Sequence, residues 1–134
     1  MFNNVFIALK EGLDPQPLIE LAMKAASPPA RFHLVTLVRA GNDDDELERV
    51  EAVRAALQQE SAALRERGYD ASSEASVIVV AAAADLAKMA TARASDLVVI
   101  GLAKRTRVGK ALMGSDAQRL LLSTGCPVLV TRIY

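Results

Sequence analysis

Asp96-Leu97-Val98-Val99-Ile100-Gly101 reads as a buried strand that stops on a glycine. Its apolar residues are continuous rather than alternating, the pattern of a strand covered on both faces of a parallel sheet. Outward from it, runs of the same kind stand at Val128-Leu129-Val130, Val77–Val80, Phe32–Val38 and Val5–Leu9. Segments of helical period separate them. Asp14-Pro15 supplies an N-cap and a first-turn proline, ahead of an apolar stripe of Leu18, Ile19, Ala22, Met23 and Ala26. Asn42 and the acidic run Asp43–Glu46 open a second helix, where negative charge suits the positive end of the helix dipole. Leu47, Val50, Leu57 and Leu64 form its stripe, and Arg65, Arg67 and Gly68 mark its end. An alanine-rich third helix spans Ala83–Ala94 with Leu86 and Met89. The fourth opens at Ser115 or Asp116, carries Leu120–Leu122 and stops at Thr124-Gly125, before Cys126-Pro127 leads into the last strand.

The order βαβαβαβαβ, with no linker or repeat, predicts one α/β domain over residues 1–134 with right-handed crossovers. The expected architecture is a five-stranded parallel sheet of order 3-2-1-4-5, with helices on both faces. Composition removes other classes. Sixteen basic residues balance 16 acidic ones, so the basic excess of a dedicated nucleic-acid binder is missing. A single cysteine cannot build a disulfide framework or a multi-thiolate metal site. No apolar run has the length of a membrane span, and Met1–Asn4 lacks the basic start of a signal peptide. The expectation is a cytoplasmic protein that engages neither nucleic acid nor membrane.

In a sheet of this order the ligand crevice lies beyond the C-terminal ends of the first and fourth strands, where the winding reverses. The residues to read are therefore Leu9–Asp14 and Gly101–Ser115. The second loop holds three glycines, four basic residues (Lys104, Arg105, Arg107, Lys110) and a Gly114-Ser115 pair opening a helix. Glycines let backbone approach a phosphate, and a helix N-terminus offers free amides and positive charge. The bland alternative is a surface loop with solvated arginines. Gly109-Lys110 is no P-loop, because Lys104 stands where its first glycine belongs and Ala111 where the magnesium-binding hydroxyl belongs. No G-x-G occurs, which removes the dinucleotide fingerprint.

Catalytic arrangements are thin. His33, the one histidine, sits within the second strand and reads as a satisfied strand residue. Ser115 lacks a nucleophile elbow, and Cys126 before a proline reads as a small buried side chain. No catalytic residue, metal ligand or enzymatic activity is expected. Leu9-Lys10-Glu11-Gly12 after the first strand also lacks the clustered acids of a receiver domain.

The motif Asp96–Gly101, followed by Gly114-Ser115 and by Cys126-Pro127-Val128-Leu129-Val130-Thr131-Arg132, resembles the universal stress protein family along essentially the whole chain. That resemblance implies a fold of the adenine nucleotide alpha hydrolase type. Nucleotide-binding members carry G-x2-G-x9-G-[S/T] in this loop. Gly101, Gly114 and Ser115 match it, whereas Lys104 replaces the middle glycine. Such members also carry an aspartate just after the first strand, where this chain has Lys10.

Carried over, the resemblance places Ala8 and Lys10 beside a nucleoside, Leu37 against the base, and Gly101, Lys104, Gly114, Ser115 and Asp116 at the phosphates. Lys104 adds a side chain where backbone should meet phosphate. Lys10 turns an acceptor into a cation, with Glu11, Asp14 or Asp116 as partners within the chain. The leading expectation is a regulatory or protective stress-response protein with weak or no ATP binding. Two alternatives stay open: ATP held through Gly101, Gly114 and Ser115, with slow hydrolysis able to follow, and a different small anionic ligand read by Lys10, Lys104 and Arg107. The resemblance further implies a homodimer through the last strand, Val128–Ile133, whose exposed edge would template pairing.

Overall fold

The computed structural model describes residues 1–41, 45–78, 82–102 and 115–132. The elements are β1 (Asn4–Leu9), α1 (Gln16–Ala25), β2 (Arg31–Arg39), α2 (Glu46–Glu66), β3 (Asp70–Ile78), α3 (Ala82–Ala92), β4 (Leu97–Leu102), α4 (Ser115–Ser123) and β5 (Val128–Arg132). The strands form one parallel sheet in the order β3-β2-β1-β4-β5, as expected.

Successive strand residues point to opposite faces, so a continuous apolar run feeds two cores at once. Val5, Ile7, Phe32, Leu34, Leu97 and Val99 face α1 and α2, and meet Leu18, Ile19, Ala22, Leu57 and Leu64. Phe6, Val35, Val98 and Ile100 face the other way, against Ala87 and Ala90 of α3 and Leu120 of α4. That double burial explains why β1, β2 and β4 were legible from composition alone. Among the described residues, no helix is long and apolar enough to cross a membrane.

The edge strands depart from the expected pattern. β3 begins at Asp70, seven residues before the anticipated Val77, and pairs with β2 from Arg31↔Asp70 to Arg39↔Ile78. Its first residues are small and polar because only one edge and part of one face are covered. Ala71 and Ala75 turn toward the α1/α2 core, while Val77 is exposed. Val79 and Val80, the rest of the anticipated run, lie outside the described residues. β5 is likewise half-buried rather than fully covered.

The start of α1 follows capping chemistry. The Asp14 carboxylate accepts the Gln16 amide at 3.0 Å, and Pro15 already has helical dihedrals, φ −76° and ψ −16°. In α2, Val50, Leu57 and Leu64 are buried as anticipated, joined by Ser61, but Leu47 is exposed. Leu47 sits in the first turn of α2, short of the sheet that covers the rest of the stripe. Of the residues expected to open this helix, Asn42, Asp43 and Asp44 lie outside the described residues.

Two helices end in the same motif. In α2, Tyr69 N–H reaches Leu64 C=O (3.2 Å) and Gly68 N–H reaches Arg65 C=O (3.0 Å), with Gly68 at φ +95°. In α3, Ser95 N–H reaches Ala90 C=O (3.1 Å) and Ala94 N–H reaches Thr91 C=O (3.0 Å), with Ala94 at φ +55°. Both are Schellman ends, and only the first uses glycine at the left-handed position. The strained Ala94 also ends α3 at Ala92, two residues before the anticipated stop. Ala94→Gly is therefore expected to stabilise the protein by about 0.5–1 kcal/mol. A urea midpoint that fell instead would show that the strain is already relieved.

Candidate functional site

Strand pairing itself opens the crevice. β1 and β4 pair only over Val5–Ile7 and Leu97–Val99. Beyond that point β1 stays with β2 as far as Leu9↔Thr36, and β4 stays with β5 as far as Leu102↔Arg132. The sheet thus splits at the reversal of winding, with Ala8–Lys10 on one lip and Ile100–Leu102 on the other.

Four of the eight anticipated site residues have their surroundings described. Ala8 and Leu37 are half-buried and share the face covered by α3 and α4, so the structure brings them together near the lip. Gly101 lies in β4 beside Thr131 of β5, across the split from Ala8. Lys10 follows β1 directly and is exposed. Ser115 and Asp116 are the first two residues of α4, but their side chains are outside what is described. Lys104 and Gly114, like Arg105 and Arg107, lie outside the described residues.

Neither described candidate partner of Lys10 takes that role. Glu11 gives its carboxylate to Arg49, with Oε1 accepting from Nη2 at 2.8 Å and Oε2 from Nε at 3.0 Å. Asp14 caps α1. Among the described residues, Lys10 has no ion-pair partner. The hydrogen bond from Arg49, reinforced by its charge and opposed by burial, holds the Glu11 carboxyl below its ordinary range. The turn carrying both residues closes with Leu13 N–H on Lys10 C=O at 3.3 Å, and Gly12 supplies its φ of +81°.

Sequence reasoning offers Glu11 only as a partner of Lys10 and does not single out Arg49. The available signal was Arg49 itself, a cation in the first helical turn beside Glu46 and Glu48, where the dipole disfavours it. Only the packing of α2 beside the β1–α1 turn reveals what it holds.

Of the three candidates weighed as nucleophile or base, the Ser115 side chain lies outside what is described, and His33 and Cys126 are quiet. His33 is buried, and its Nδ1 lies 2.7 Å from Ser72 Oγ. Its Nε2 finds no hydrogen-bond partner among the described residues, so the side chain is only half satisfied, contrary to expectation. Burial, aided by the Arg93 charge, pushes its pKa down to about 4. Cys126 is half-buried against the α3/α4 core, and burial followed by the Asp96 charge pushes its thiol up, away from thiolate. Two open grooves, of about 430 and 590 Å³, lie at the opposite end of the sheet. The larger is lined by Asn4, Arg31, Glu74, Met89, Ala92 and Arg93.

Comparison with known proteins places this arrangement. Residues 1–132 match the model of the universal stress protein family. Similar solved structures include a universal stress protein from Archaeoglobus fulgidus, 19% identical, covering 97% of this chain and 98% of that one at a TM-score of 0.73. UspA from Lactobacillus plantarum is 15% identical, with 96% of each chain covered and a TM-score of 0.75. The Archaeoglobus fulgidus universal stress protein in complex with dAMP is 17% identical, covers 96% of each chain and has a TM-score of 0.67. A comparison with the curated proteins finds no match.

Proposed function

The chain belongs to the universal stress protein family, and on that premise we propose that it is a regulatory or protective protein of the stress response with weak or no hold on ATP. It works in the cytoplasm as a homodimer, carries out no chemistry of its own, and admits at its crevice a small anion. The observation that carries this reading is Lys10. It stands exposed, without an ion-pair partner among the described residues, at the lip where the family resemblance implies an aspartate. A ribose hydroxyl that would donate to a carboxylate meets an ammonium there, which accepts nothing. The same ammonium favours a phosphate or carboxylate group. The raised Cys126 thiol and the depressed His33 support the non-enzymatic part, since neither is poised as nucleophile or base at the crevice.

The homodimer reading rests on β5. It is the sheet's outer strand, and Val128, Leu129 and Val130 are only half-buried in the single chain. An apolar edge with one free row of backbone groups invites a second copy to extend the sheet. Ile133, the last residue of the anticipated pairing segment, lies outside the described residues.

Calorimetric titration of nucleotide-stripped protein, first weighed by sedimentation equilibrium, tests both parts. The expected result is a dimer giving no saturable heat with ATP up to millimolar concentration, with or without magnesium. Lys10→Asp combined with Lys104→Gly should then gain at least about tenfold in ATP affinity, the scale of one recovered hydrogen-bonded contact. Micromolar binding by the unaltered chain would replace this reading with a nucleotide site built on Gly101, Gly114 and Ser115. A single-chain mass would remove the dimer.

A further inference from the structure

Lys10 and Glu11 are neighbours in one tight turn, and an exposed carboxylate beside an exposed ammonium would normally neutralise it. The structure prevents that. Both oxygens of Glu11 are occupied by Arg49, in a two-pronged pair whose side chains are only 28% and 29% exposed. Arg49 Nη2 also donates to the Arg39 carbonyl at the end of β2, at 3.3 Å. One guanidinium therefore ties together the β1–α1 turn, the C-terminal end of β2 and the first turn of α2, all at the crevice end of the sheet. Two-pronged geometry is what distinguishes such a pair from an ordinary surface contact, since it fixes direction as well as charge.

We propose that Arg49 is a positioning residue for the crevice: by holding the Glu11 carboxylate against α2, it leaves Lys10 uncompensated, so that the lip receives a phosphate- or carboxylate-bearing anion. This rests on the reading of the crevice as an anion site, and adds the device that makes it one. The Glu11–Arg49 pair is neutral as a unit, so among the described residues of the β1–α1 turn the positive charge without an ion-pair partner is that of Lys10. Without Arg49, Glu11 is released to pair with Lys10, and an arriving anion has to compete with it. The depressed Glu11 carboxyl agrees with this assignment, because the Arg49 hydrogen bond is its main cause. Gly12 at φ +81° completes the turn that presents Glu11 to α2 and Lys10 to solvent.

Inorganic pyrophosphate is the probe, titrated calorimetrically at low and at high salt into the whole chain and four variants. Lys10→Met should abolish binding. Arg49→Met should weaken it about three- to tenfold, the scale of one charge pair near a surface. Glu11→Gln removes the carboxylate and frees the Arg49 charge, so it should bind at least as tightly as the unaltered protein, and Arg49→Met/Glu11→Gln should recover what Arg49→Met lost. That rescue separates charge sequestration from loop damage, because a turn merely loosened by the loss of Arg49 would stay weak when Glu11 is also changed. Weakening in Arg49→Met should itself fade at high salt. Equal binding by Arg49→Met and the unaltered chain, or failure of the double variant to recover, overturns the role of Arg49 while leaving the anion site standing. Binding that survives Lys10→Met, or its absence in the unaltered protein, overturns the anion-site reading and this inference with it.

Discussion

Asp96→Ala is expected to lower the unfolding free energy by about 2–3 kcal/mol, the cost of two charge-assisted hydrogen bonds to backbone and of an amide left unpaired. The carboxylate of Asp96 accepts Asn3 N–H at Oδ2 and Asn4 N–H at Oδ1, each at 2.9 Å. Asp96 N–H returns a bond to Asn4 C=O at 2.8 Å, and Asn4 Nδ2 donates to Arg93 C=O at 2.6 Å and to Ala94 C=O at 3.1 Å. The Asp96 carboxylate thus starts β1 in register with β4, and the Asn4 side-chain amide closes the turn out of α3. Asp96→Asn keeps one acceptor and should lose roughly half as much. Urea unfolding with an unchanged m-value is the measurement. A second readout follows the charge: Asp96 is a secondary cause, after burial, of the raised Cys126 thiol. Asp96→Asn, which removes the charge but keeps an acceptor, should therefore speed the thiol's reaction with a disulfide reagent under native conditions. A midpoint within experimental scatter of the parent would mean that water replaces these bonds at no cost.

His33 should make the protein acid-sensitive well above the usual carboxylate range. Its ring is buried between Phe6, with ring centroids 6.0 Å apart, and Ser72, and its pKa falls to about 4 from an ordinary 6.5. The unfolded chain therefore binds a proton between those values that the native chain refuses. Stability is full above about pH 6.5 and declines as pH drops through the window toward 4, by about 2 kcal/mol between pH 7 and pH 5. Glu11 also loses stabilisation in acid, but its depressed carboxyl places that loss below its ordinary value of 4.5. His33→Leu should flatten the profile between pH 7 and pH 5, whatever it does to stability at neutral pH. Parallel pH profiles for the two proteins would show that the imidazole finds room to charge while folded.

The residues that announced themselves in the sequence are those whose environment is dictated by neighbours on both sides of the sheet. Val98 and Val99 face opposite cores, and nothing but an apolar side chain suits either position. Gly68 was legible because a left-handed helix end favours glycine, whereas Ala94 hid the same motif behind a residue that tolerates it poorly. β3 was read seven residues short, because an edge strand follows its partner's backbone rather than its own hydrophobicity. Leu47 was misplaced for the complementary reason: helical period says which side a residue faces, not whether anything reaches it there.

At the crevice the division runs along the same line. The alternation of strands and helices, the reversal of winding between β1 and β4, and the lysine that follows β1 are consequences of chain order, and the sequence alone determined them. The destination of Glu11 is not. Glu11 has Lys10 beside it in the chain, yet it pairs with Arg49, 38 positions away. That choice was made by tertiary structure, because an ion pair goes to whichever cation the packed helix holds in two-pronged reach, and chain proximity cannot supply that geometry.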